Sequence, residues 1–194
     1  MSKKLTIEQI QQQAEKLGIE TAALQAIHEV ECRGSGFNPD NMPVILFERH
    51  VMRQRLIANK FFSIAEKMEI KRPDLCNKSS GAYGLYSAQH GRLIAAVQYH
   101  RESALESCSW GIGQVMGYHW KSLGYPSLQA FINAMYKDEA SQLDAMCRYI
   151  KVNNLVNVLK NKDWKAFAKG YNGQSYAKNS YDIKLANAYK KWSQ

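Results

Sequence analysis

Two glutamates, Glu29 and Glu31, lie in the segment AIHEVECRGSGF, where a helical pattern runs into a stretch of glycine and polar residues. A carboxyl group in apolar surroundings keeps its proton at neutral pH, because burial disfavours the ionised form. Such a group can deliver that proton to a leaving oxygen, as glycoside cleavage demands. Helix geometry separates the two candidates. With Leu24 as origin and about 100° per residue, Ile27 falls at about 300°, Val30 at about 240° and Glu31 at about 340°, but Glu29 at about 140°. Glu31 shares the apolar stripe, at a helix end beside a loop; Glu29 faces solvent. Spacing alone also allows Glu31 to be a helix-end carboxylate paired with Arg33 or Arg49, since structural ion pairs perturb carboxylates too.

Other residue chemistries have little support. Cys32, Cys76, Cys108 and Cys147 form no CxxC pair, and the five histidines show no HExxH spacing. Neither a metal centre nor a cofactor is expected. The cysteines read as free thiols, mostly buried as small hydrophobes.

The elements that must position Glu31 are mainly helical. Thr6 and Gln9 form a capping-box pattern ahead of Ile7, Ile10, Ala14 and Leu17, with Gly18 as the stop. Thr21 can cap a second helix through Glu31, ended by Gly34, and residues 32–43 read as loop. Val44–Phe47 reads as a short strand or a buried extended piece. Arg49–Glu69 is helical with a break near Asn59, and 71–91 is a long irregular connection of the kind that often carries function. Leu93–Ala104 reads as one helix, and Ser109–Gly117 as a tight turn. Ser127 can cap a helix over 128–136, Ala140–Val152 repeats the helical pattern, and Asp163 can cap a helix through Lys169. A last helix over about 182–192 places Leu185, Tyr189 and Trp192 on one face. The sum is one mainly α domain over residues 1–194 with at most a short strand region. No repeat, linker or separate binding module is visible.

Charge is unevenly spread. Residues 148–194 hold Arg148 and nine lysines against Asp163 and Asp182, a net of +8, out of +9 for the whole chain. This basic C-terminal helical part favours polyanionic partners: nucleic acid, anionic lipid or acidic envelope polymers. A merely solubilising surface fits it equally well. No stretch approaches the roughly 18 apolar residues of a membrane span. The N-terminus begins basic and turns polar, without the apolar middle of a secretory signal. The chain is therefore expected to be made and kept in a cytoplasm until released.

Four ordered stretches carry a resemblance: EVECRGSGF (29–37), PVILFERH (43–50), SWGIGQVMG (109–117) and FAKGYNGQSYAKNSYDIKLANAY (167–189). Together they resemble the N-acetylmuramidase endolysins of phages and prophages, and more distantly the goose-type lysozymes and soluble lytic transglycosylases. The resemblance implies a lysozyme-like fold with Glu31 as general acid; Cys32 stands where the family has serine, and Glu29 is a fallback. It also implies that Trp110, Gly113 and Gln114 line a sugar cleft. The glycine would let backbone approach a saccharide, Gln114 would bond an acetamido group, and Trp110 would either face a sugar or pack in the core. Tyr171 and Asn172 match a "Y-N" motif whose tyrosine hydroxyl lies near the catalytic glutamate and steers its proton. Glu48 is a second carboxylate near the cleft, acting as the base that positions water or pairing with Arg49 or Arg53.

The expected reaction is hydrolysis of the β-1,4 bond between N-acetylmuramic acid and N-acetylglucosamine in peptidoglycan, by a monomer held in the host cytoplasm and serving host lysis. Lytic transglycosylation is the nearest alternative, with the muramyl 6-hydroxyl replacing water. An alternative of another class is a cationic protein that permeabilises anionic outer-membrane lipid, through lysines near Ile150, Leu159, Trp164, Phe167, Leu185 and Trp192. No nucleic-acid partner is expected, because no recognised binding motif accompanies the charge.

Overall fold

The computed structural model describes residues 3–32 and 34–194, with Ser175 and Lys178 described at the backbone only. Eleven α-helices and one three-stranded antiparallel sheet are found among these residues. Helix α1 (Ile7–Leu17) begins on the expected capping box: the Gln9 amide donates to Thr6 Oγ1, and the Thr6 amide to Gln9 Oε1. Gly18 ends it in the left-handed conformation at φ 66°. Helix α2 (Thr21–Glu31) differs slightly from expectation. Glu20 is its N-cap and supplies no side-chain cap, so Thr21 is the first helical residue. Its last bond runs from the Cys32 amide to the His28 carbonyl, so the helix stops before Gly34.

Strand β1 (Ile45–Phe47) precedes α3 (Arg49–Ala58) and α4 (Phe62–Lys71), which are separated at Asn59 as the sequence suggests. The expected single helix over 93–104 is two, α5 (Gln89–Val97) and α6 (Arg101–Glu106). His100 interrupts it by capping α6, its Nδ1 accepting from the Ser103 amide. Strands β2 (Cys108–Trp110) and β3 (Val115–Met116) form a hairpin in the segment expected to be a tight turn. Ile45 pairs with Trp110, and Trp110 with Val115. Then come α7 (Leu128–Lys137), α8 (Glu139–Val152), α9 (Val156–Lys160), α10 (Trp164–Asn172) and α11 (Tyr181–Trp192). The single turn and a half of α9 carries too little periodicity to be read in advance.

One continuous apolar core runs from Ile10 on α1 to Leu185 on α11. Ile150, Leu159, Phe167 and Leu185 all belong to it. The apolar face of the basic C-terminal part is therefore turned inward, and only Trp192 of the large residues singled out there is well exposed. Lipid insertion through that face would require pulling it out of the core, a physical reason against the permeabilising alternative. Among the described residues no helix is long and apolar enough to cross a membrane.

A buried polar pair on α8 holds the loop after α2 and the β2–β3 turn together. Gln142 is 1% exposed. Its Oε1 accepts from the Ile112 amide at 2.9 Å, and its Nε2 donates to the carbonyls of Gly36 at 3.2 Å and Met135 at 2.9 Å. Glu139 Oε1 accepts from the Gly36 amide and Ser35 Oγ, and its Oε2 from the Leu5 amide, all at 2.8 Å. A Cβ placed on Gly36 would lie 1.9 Å from Gln142 Oε1, and one on Gly111 would lie 2.5 Å from Gln142 Cδ. Gly111 also needs its φ of 66°. Replacing Gln142 with leucine leaves three buried backbone groups unpaired, each worth about 1–3 kcal/mol. Gln142→Leu is therefore expected to lose at least about 3 kcal/mol of stability, read from the urea midpoint.

Candidate active site

The end of α2, the loop after it, the β2–β3 turn and the end of α10 converge on an open cleft of about 590 Å³. Glu31, Ser35, Asn38, Tyr86, Gln114, Tyr171, Asn172 and Tyr181 are among its lining residues. Glu31 is the one carboxylate in that lining among the described residues. Leu24 and Ile27, which share its helix face, are fully buried, so its position in the apolar stripe is as helix geometry demands. Asn172 Nδ2 donates to Glu31 Oε1 at 2.8 Å, a charge-assisted bond when the carboxylate is ionised. Asn172, expected to touch substrate, thus faces the carboxylate itself.

The competing pairings of Glu31 fare differently. Arg49 is committed elsewhere, donating to the carbonyls of Pro73, Ser79 and Ser80. Arg33 lies outside the described residues. Glu29, the fallback acid, is exposed and accepts from Lys191 Nζ and Trp192 Nε1 at 2.8 Å each. The lysine bond, then the indole bond, hold its carboxyl below the ordinary range, the reverse of what a proton donor needs.

Tyr171 lines the cleft beside Asn172. Its ring stacks on Phe167 at 5.4 Å and meets Tyr149 edge-on at 5.5 Å. Its hydroxyl donates to the Gly113 carbonyl at 3.1 Å, so in this structure it braces the β2–β3 turn. Burial first, then the neighbouring Cys32 and Glu31, push its pKa well up, and the hydroxyl stays a neutral donor. Cys32 also lines the cleft, and burial raises its thiol pKa strongly, which keeps it protonated and poorly nucleophilic.

Gln114 sits at the turn with a φ of 45°. Its Oε1 accepts from Ser109 Oγ and its Nε2 donates to the Gly111 carbonyl, both at 2.8 Å. A primary amide has two donor hydrogens and two acceptor lone pairs. The rigidly held group therefore retains one donor and one acceptor for a ligand. Gly113 contributes backbone to the cleft, but its glycine identity has another reason: a Cβ there would lie 2.9 Å from Met146 Cβ on α8.

Two expectations need correction. Trp110 is 1% exposed, with its indole Nε1 donating to the Leu105 carbonyl at 3.2 Å. It is core packing and presents no face to a sugar. Glu48 is absent from the cleft lining, and neither Arg49 nor Arg53 is its partner; Arg53 pairs with Glu69. Instead Glu48 Oε2 accepts from the Tyr83 hydroxyl at 3.4 Å and lies 3.7 Å from His50 Nδ1. Burial pushes its carboxyl pKa up, partly offset by His50 and Tyr83. The residues that motif reading missed are Tyr86, Tyr181, Ser35 and Asn38. Ser35 and Tyr181 fall within the stretches 29–37 and 167–189 that carry the resemblance, whereas Tyr86 and Asn38 lie outside all four.

A mainly helical domain whose second helix ends in a carboxylate facing an open cleft has the build of the lysozyme-like class. The chain belongs to the N-acetylmuramidase family, whose model matches residues 20–193, and so to the enzymes that degrade peptidoglycan. It is similar to the endolysin of a Burkholderia AP3 phage, known from its crystal structure. That protein is 41% identical with a TM-score of 0.94, over 100% of this chain and 73% of that one. No curated protein matches the chain.

Two outcomes follow from these contacts. Asn172→Ala removes the Asn172 hydrogen bond to Glu31 and is expected to lower kcat by about 10²-fold, the effect of a small misplacement, with KM little changed. Steady-state kinetics on purified peptidoglycan checks this. For Glu48, a folded pKa above the unfolded value means that its stabilising contribution is full below the unfolded carboxyl pKa and is lost as pH rises through the folded one. Glu48→Gln cannot ionise, so its stability relative to the parent protein should climb as pH rises across the upper carboxyl range, while lytic activity persists. Urea unfolding at several pH values, with turbidity assays alongside, reads both.

Proposed function

We propose that this protein hydrolyses the β-1,4 bond between N-acetylmuramic acid and N-acetylglucosamine, with Glu31 as general acid, and serves host lysis as a phage endolysin. The observation that carries it is the position of Glu31, the one carboxylate in the cleft lining among the described residues, with Asn172 bonded to one of its oxygens. The similarity to the AP3 phage endolysin supports the lytic role. A glycan strand lying in the cleft puts a glycosidic oxygen against Glu31, which gives it a proton as the C–O bond breaks. Positive charge then develops at the anomeric carbon, and the ionised Glu31 stabilises it. Water attacks that carbon and returns a proton to solvent. The neutral Tyr171 hydroxyl and the Gln114 amide keep the turn that walls the cleft in place through the reaction. Substrate affinity arises in the cleft, and the outward-facing lysines of the C-terminal part add long-range attraction for the acidic wall.

Glu31→Gln keeps the shape and the bond acceptor but has no proton to give. It is expected to lower the lytic rate by about 10²–10⁴-fold, the usual contribution of a general acid, with an unchanged melting temperature. A folded variant lysing at the parent rate would sink the assignment. Mass spectrometry of the digested wall tests the chemistry separately: hydrolysis leaves a reducing muramic acid, and a product lighter by one water would mean transglycosylation.

A further inference from the structure

The irregular segment between α4 and α5 is anchored along its length. Arg49 bonds three of its carbonyls, at Pro73, Ser79 and Ser80. Gln89 Nε2 donates to the carbonyls of Tyr83 at 2.7 Å and Leu85 at 2.9 Å, while its Oε1 accepts from the Phe47 amide in β1 at 3.0 Å. The Tyr83 hydroxyl reaches Glu48. Gly81, Ala82 and Gly84, all at positive φ, turn the chain between these anchors. A strap held so firmly ends in a short 3-10 turn (Tyr86–Ala88) whose first residue, Tyr86, lines the Glu31 cleft. The Tyr86 side chain is 73% exposed and makes no hydrogen bond, ring contact or cation contact among the described residues. A large ring is thus held by a fixed backbone at the cleft edge, with its faces open.

We propose that Tyr86 is a saccharide-stacking residue of the cleft, and that the anchored strap exists to present it. This rests on the assignment of a glycan substrate above. A pyranose ring exposes C–H groups on its faces, and an aromatic ring covers such a face with little loss of side-chain freedom, because tyrosine has only two side-chain torsions. Prior anchoring of the backbone reduces the ordering cost of binding further. The role is binding and placement, and the ring supplies it; the hydroxyl is dispensable.

The test compares Tyr86→Ala, Tyr86→Phe and Tyr86→Trp in the full chain. Dissociation constants for a chitin oligosaccharide are measured in a Glu31→Gln background, and KM and kcat on peptidoglycan in the active enzyme. Tyr86→Ala is expected to weaken oligosaccharide binding and raise KM by about tenfold, with a smaller change in kcat. Tyr86→Phe and Tyr86→Trp should stay within about threefold of the parent. Because the side chain is exposed, all three should melt with the parent, which separates a binding role from a structural one. Unaltered binding by Tyr86→Ala overturns the proposal, and so does a Tyr86→Phe defect as large as that of Tyr86→Ala. If the parent enzyme itself fails to cleave peptidoglycan, the glycan assignment falls; an active parent with an indifferent Tyr86→Ala defeats the stacking role alone.

Discussion

One side-chain amide sets the shape of the site. Gln142 stands at the meeting point of the loop after α2, the β2–β3 turn and the end of α7, with one carbonyl and one amino group serving three backbone groups. Buried in apolar surroundings, those groups have no water to fall back on, so the amide fixes their separation to within hydrogen-bond tolerance. Glu139, one helical turn earlier, extends the hold to Ser35, Gly36 and the Leu5 amide. The glycines at 36, 111 and 113 are the complement of this arrangement: a methyl group at any of them would meet Gln142 or Met146. Glu31 gains its surroundings from this framework, since both the chain that leaves it and the turn that faces it are pinned to α8.

How much of this was legible in the sequence depends on whether a signal was local. The capping box of α1, the break at Asn59, the caps of α7 and α10, and the side of α2 on which Glu31 lies all follow from neighbours a few residues apart, and they appear as expected. Failures come where a distant partner decides. The glycines of the SWGIGQ segment suit a sugar-binding backbone and equally suit contact with a helix; only the three-dimensional neighbour, α8, distinguishes them. Trp110 is undetermined for the same reason, because a flat ring serves core and cleft alike. Glu48 resembles a second catalytic carboxylate by position in a motif, yet its side chain faces Tyr83 and His50. Gln142 carries no motif at all, being one polar residue in an otherwise ordinary helix.

The basic C-terminal part illustrates a related limit. Its lysines and its apolar residues are interleaved in the sequence in a way that suits either a membrane surface or a protein core. The structure puts Leu159, Phe167 and Leu185 in the core, packs α11 on α2, and leaves the described lysines exposed. Helix α11 is further tied to α2 by polar bonds across the surface, from Lys191 and Trp192 to Glu29 and from Tyr189 to Glu20. These exposed pairs contribute little stability individually. Their arrangement nonetheless keeps α11 alongside the helix that carries Glu31.

Glu31 and Asn172, which meet at 2.8 Å, are 141 residues apart in the chain. A ribosome that has produced α1 through α8 has therefore made Glu31 and the framework around it, but not the asparagine that bonds it, the tyrosine that braces the turn, or the helix that packs on α2. Domains fold as units while synthesis proceeds residue by residue, so the contact between Glu31 and Asn172 forms only once α10 has been made.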